Sequence, residues 1–149
     1  MNEHDMLRQV LEQQALALVG PLNMKLVLDN DDFVQPKDGK VWSEFWFETG
    51  KTTATTGGGA KGWERTSGVL QFTLKCPENT GNGPLLKVAA AIKRAFNRKQ
   101  WNVPPEGYVS LDPVSVQAHG KPMGGLYHVI VDATFWFHHR DTAAPEFYE

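Results

Sequence analysis

Residues 126–139, LYHVIVDATFWFHH, alternate apolar and polar side chains for longer than any other run in the chain. In a strand, successive side chains point to opposite faces. Tyr127, Val129, Val131, Ala133, Phe135 and Phe137 therefore form one apolar surface that a fold must bury. VWSEFWFE at 41–48 alternates too, with Val41, Ser43, Phe45 and Phe47 opposite Trp42, Glu44, Trp46 and Glu48. So does SGVLQFTLKC at 67–76, with Leu70, Phe72, Leu74 and Cys76 opposite Val69, Gln71, Thr73 and Lys75. The last two runs predict a hairpin with a long flexible loop at about 49–66.

The rest of the chain supplies what covers such a sheet. Residues 3–19 place Met6, Leu7, Val10, Leu11, Ala15, Leu18 and Val19 at helical spacing, and Gly20-Pro21 is expected to end that helix. MKLVL at 24–28 is a short strand candidate, and 29–40 reads as a polar loop. PENTGNGP at 77–84 reads as a turn into a second helix, with Pro84 at its first position and Asn82 or Gly83 as cap. That helix runs to about residue 97 on a stripe of Leu85, Val88, Ala89, Ile92 and Phe96. A Pro-containing loop precedes a strand at 108–119, where Pro113 implies a bulge or an edge position. The expected fold class is α+β: a two-layer, mostly antiparallel or mixed β-sheet with two amphipathic helices packed on one face and a long β-hairpin loop. Residues 1–149 read as a single domain with a loose C-terminal tail from about 140 to 149.

Composition narrows the function classes. Hydrophobic residues make up 41% and charged residues 21%, a soluble globular balance. A formal net charge of −2 supplies no overall field toward nucleic acid or membranes. Cys76 is the single cysteine, which excludes an internal disulfide and fits a reducing compartment. The start, MNEHDMLRQV, lacks the basic end and apolar run of a secretory signal, and no apolar segment is long enough to span a bilayer.

Candidate chemistry is sparse. TGKTTATTGGG at 49–59 holds the Gly50-Lys51-Thr52 end of a phosphate loop, but Phe45 occupies the first glycine position and a helix-poor run follows. The histidines His4, His119, His128, His138 and His139 lack chelating spacings and read as surface groups. Asp29, Asp31 and Asp32 lack the glycine and distal glutamate of a calcium loop and read as a solvated turn. Cys76 reads as a small hydrophobe, and Ser43, Ser67, Ser110 and Ser115 have no nucleophile frame. Gly81-Asn82-Gly83 is explained by helix capping. Lys87, Lys93, Arg94, Arg98 and Lys99 form a basic stripe without interleaved aromatic residues, which reads as a solvated helix face or a surface meeting an acidic neighbour. Trp42, Trp46 and Trp136 lie on the less apolar faces of their strands, as contact anchors or, if the sheet is covered on both sides, as core.

The block RTSGVLQFTLKCPENTGNGPLLKVAAAIKRAF, residues 65–96, resembles the central block of phage tail terminator proteins related to the lambda U minor tail protein. The N-terminal helix, VWSEFWFE, VSVQA and LYHVIVDATFWF follow in the order of that family, so the resemblance spans nearly the whole chain. It implies a virion structural protein without catalysis or cofactor. Its copies would form a ring, as a homo-oligomer of usually six, at the head–tail junction after assembly in the host cytoplasm. The ring would cap the tail tube protein, end its polymerisation and dock the head–tail connector protein. DNA would pass through it without sequence-specific binding, and no membrane would be involved. The loop at 49–66 would serve as an arm, since loops this long are usually functional or disordered. The alternatives are a head–tail completion protein or a small nucleotide-binding enzyme using Lys51. Exposure and charge, not the family, suggest Lys51, Trp63, Arg65, Lys87 and Arg94 as oligomer or partner interface residues. TTATTGGGAKG is richer in Thr and Gly than the family pattern, and APEFYE has no counterpart in it.

Overall fold

The computed structural model describes residues 2–28, 40–77, 83–118 and 125–141. The expectations for the aspartates at 29–32, the cap at Asn82, His119 and the tail beyond Asp141 lie outside these residues.

The chain opens on helix α1, Glu3–Leu16, capped by Asn2, whose Oδ1 accepts from the Asp5 backbone N–H at 2.9 Å. Glu3 and Asp5 sit in its first turn, where the helix dipole favours negative charge. Leu7, Leu11 and Ala15 are fully buried from one face. Gly20-Pro21 does not end this helix. α1 has already stopped at Leu16, and Gly20 and Pro21 lie inside a four-residue helix α2, Val19–Leu22, closed by Asn23 at φ 49°. Proline is tolerated there because the first N–H groups of any helix lack an intrahelical acceptor.

Among the described residues seven strands follow: β1 Lys25–Val27, β2 Trp42–Ala54, β3 Glu64–Pro77, β4 Gln100–Val103, β5 Gly107–Leu111, β6 Ser115–Ala118 and β7 Leu126–His139. Helix α3, Gly83–Phe96, stands between β3 and β4. The sheet order is β1-β2-β3-β7-β5-β4, and β6 also pairs β7. All pairings are antiparallel except β1 with β2. The fold is thus α+β with a mixed, mostly antiparallel sheet. β5 and β6 pair with successive stretches of β7 and are separated at Pro113, which cannot donate to a ladder. β4 falls where the sequence suggested only a loop. It is held by pairing to β5 and by the edge-to-face contact of Trp101 with Phe96 at 5.2 Å.

One face of the sheet carries the core. Phe45, Leu70, Phe72, Leu74, Cys76, Val129, Val131, Phe135 and Phe137 are buried together with α1 and with Leu85, Ala89, Ile92 and Phe96 of α3. Phe72 joins the layers, with ring centroids 4.8 Å from Phe45 and 5.2 Å from Phe96. Burying each such aromatic contributes roughly 1.5–3 kcal/mol. Cys76 is a buried thiol within this cluster, as its face predicts.

The expected loop at 49–66 is much shorter than its glycines suggest. β2 continues to Ala54 and β3 begins at Glu64, leaving only residues 55–63 to turn. Threonine is β-branched and suits a strand, which outweighs the nearby glycines. The turn itself uses them: Gly58 and Gly59 adopt φ 106° and 63°.

Candidate assembly interface

A one-residue bulge sets up the outer end of the sheet. Thr49 pairs with Gly68 but Thr52 pairs with Thr66, so β2 holds an extra residue between them. The shift turns Thr52, rather than Lys51, toward the helix side. Thr52 and Thr66 hydroxyls meet at 2.7 Å, and Thr66 Oγ1 lies 2.9 Å from His139 Nε2. His139 Nδ1 lies 3.8 Å from Glu3 Oε1, and its ring stacks on Phe137 at 4.4 Å. His139 is therefore not a surface histidine. It shares the apolar face of β7 and is only 4% exposed. Burial is the main cause that pushes its pKa down, against upward pulls from Glu3 and Glu64 and with smaller downward pushes from His4 and His138.

The opposite face bears cations laid over aromatic rings. The Arg65 guanidinium sits 4.5 Å from the Trp136 ring, Lys75 Nζ 5.0 Å from Trp42, and the Arg140 guanidinium 5.5 Å from Trp63. Lys75 also pairs with Glu44 at 3.0 Å, and Arg140 with Glu106. That bond holds the Glu106 carboxyl below the usual range. His138 stacks on Tyr108 at 4.5 Å, and burial, then the nearby Arg65, lowers its pKa. The tryptophans divide between the two readings: Trp42 is buried, 2% exposed, on this face opposite the helices, whereas Trp46 and Trp136 are half-buried. A cleft of about 390 Å³ beside Trp136 is lined by Glu48, Gly50, Ser67, Val69 and Thr134.

The five interface candidates form two groups. Lys51 is exposed at the bulge, and Trp63 and Arg65 lie at the far end of β3. Lys87 and Arg94 are exposed on α3, in the other layer. Sequence reading missed the Thr52–Thr66–His139 chain, although the parity of residue 139 already placed it with Phe135 and Phe137.

Gly50-Lys51-Thr52 stands within a strand, so no helix N-terminus directs amides at a phosphate there, as a phosphate loop requires. Among the described residues, no three His, Cys, Asp or Glu side chains are placed to share a metal ion. A second cleft, near α2 and β1, is lined by Val19, Gly20, Asn23, Met24, Lys25, Lys40 and Val41, with no carboxylate or imidazole among its described lining residues.

No protein-family model matches the chain, and no curated protein does. A solved structure whose name states no function superposes with a TM-score of 0.68, covering 90% of this chain and 94% of its own, at 17% identity. The likeness is one of fold. Among the described residues, no helix is long and apolar enough to cross a membrane.

Proposed function

We propose that this protein is a phage tail terminator, a virion structural protein whose copies close into a ring on the end of the tail tube. The ring stops tube polymerisation and presents a docking surface to the head connector. The observation that carries this reading is the open edge of β2. On the side away from β3, no described strand pairs with β2 beyond Glu44, so that along about 30 Å of strand, Phe45–Ala54, the outer backbone groups have no ladder partner among the described residues. Natural proteins cover or blunt such edges, and a neighbouring subunit covers one well.

The sheet ends differently on its other side, at the four-residue β4. A cyclic ring needs two different patches on each subunit, and two unlike sheet edges supply them. Lys51, Trp63 and Arg65 flank the β2 edge and extend that patch. The order of elements also agrees with the resemblance drawn from residues 65–96.

The test is a growth assay of purified tail tube protein, read by electron microscopy. Added protein is expected to cap tubes and halt their elongation. Unchanged tube lengths at saturating protein reject the assignment, and binding to the head connector without capping assigns a head–tail completion role instead.

A further inference from the structure

The outer face of α3 and the turn after it carry a charge pattern in the layer away from the two sheet edges. Lys87, Lys93, Arg94, Arg98 and Lys99 are the charged residues of 83–99, and all five are exposed. Among the described residues, none of them lies within 4 Å of a carboxylate. Lys87 and Arg94 stand two helical turns apart on one line, about 10 Å along the axis. Between them lie the exposed Ala90 and half-exposed Ala91, with half-buried Val88 and exposed Lys93 to either side. Leu86, 41% exposed, is the large apolar side chain of this surface.

We propose that this face is a sequence-independent contact for the phosphate backbone of double-helical nucleic acid. Protein interfaces draw most of their affinity from buried aromatic or large apolar anchors, and this face has a single leucine to offer. Phosphate contacts need charge and close approach, which exposed cations over alanines provide. The two arginines can each hold a phosphate in bidentate fashion. The lack of aromatic residues argues against stacking of single strands but leaves duplex contact intact. The net charge of −2 does not oppose it, because distant acids are screened beyond about 8–10 Å at physiological salt while the stripe acts at contact.

The test uses the purified full chain without tail tubes, so that its outcome is separate from the tail-terminator reading. Binding to a short fluorescent DNA duplex is followed by anisotropy between 50 and 200 mM salt. If three phosphates are engaged, affinity falls about 40-fold over that range, from a slope of about −0.9 per phosphate. The double variant Lys87→Glu, Arg94→Glu is expected to lose at least tenfold in affinity and to flatten the slope by about 2. Lys61→Glu, at the sheet's far turn, should bind as the parent does. Because the altered side chains are exposed, thermal midpoints should be unchanged, and Lys87→Arg should retain binding. The proposal is overturned by absence of binding at 50 mM salt, or by binding that the double reversal leaves intact. Displacement of the duplex by polyglutamate charge for charge also overturns it, and assigns the face to an acidic protein surface.

Discussion

Gly68 is held small by the ring of Phe135. A Cβ built on it would lie 2.2 Å from Phe135 Cζ and 2.7 Å from the Glu48 carbonyl oxygen. The ring can swing only by leaving the core, and the carbonyl belongs to the β2 ladder. Gly68→Ala should therefore cost about 1–3 kcal/mol, measured as a lower denaturant midpoint with unchanged slope. His139 gives the second prediction at this scale. Its folded pKa is lowered, chiefly by burial, so the unfolded chain takes up the proton first as pH falls. The stabilising contribution is complete above the unfolded value near 6.5 and is lost as pH drops below it. His138, also lowered, acts in the same direction. Stability should fall between pH 7.5 and 5.5, by less than about 1.4 kcal/mol per pH unit for one proton, and His139→Gln should reduce that dependence. A flat pH profile in the parent protein would contradict the role given to burial. The alternation of 126–139 fixes which face residue 139 occupies. It does not reveal the hydroxyl partner, because Thr66 reaches it only through pairing with a strand 73 residues away.

At the scale of elements, the bulge in β2 is the feature whose removal has the clearest consequence. Deleting Gly50 restores an even register: Lys51 then pairs with Ser67, and Thr52 stays opposite Thr66. The Thr52–Thr66 hydroxyl contact and its link to the buried imidazole are therefore kept, and what changes is the twist of the outer strand end. The variant should keep the parent's pH–stability dependence, whereas Thr52→Val, which removes the hydroxyl, should lose about 0.5–1.5 kcal/mol, both readable by chemical denaturation. The strands were legible where alternation was strong: β3 and β7 bury the residues their patterns assign, Tyr127 only in part, and α3 buries Leu85, Ala89, Ile92 and Phe96. β4 was not, because QWNV is short and followed by Pro104-Pro105, and its stability comes from β5 and Phe96 rather than from local propensity. The outer half of β2 was misjudged for the opposite reason, since GKTTA has good strand formers beside a glycine-rich turn. The interface candidates were legible as charge and exposure alone. Their division between two layers required the topology.

At the scale of the whole molecule, two unlike sheet edges make a prediction that a symmetric dimer would not. In a ring each β2 edge meets a different surface of the next copy, so blocking either surface breaks every contact of the same kind. Thr49→Lys with Thr53→Lys places charge on the β2 edge, and Gln100→Lys with Asn102→Lys does so on β4; all four positions are exposed. Edge lysines blunt strand pairing without disturbing a core. Native mass measurement of the parent protein should show a concentration-dependent closed oligomer, and each variant alone should be monomeric. Mixed together, the two variants retain one intact β2 edge and one intact β4 edge between them. They should form a species of two subunits and stop there, because both remaining edges are blocked. An isologous dimer would instead be abolished by the variant that blocks its own shared patch and left whole by the other. Finding that either variant alone keeps the parent oligomer would remove the edges from the assembly and return the search to the outer tryptophan face.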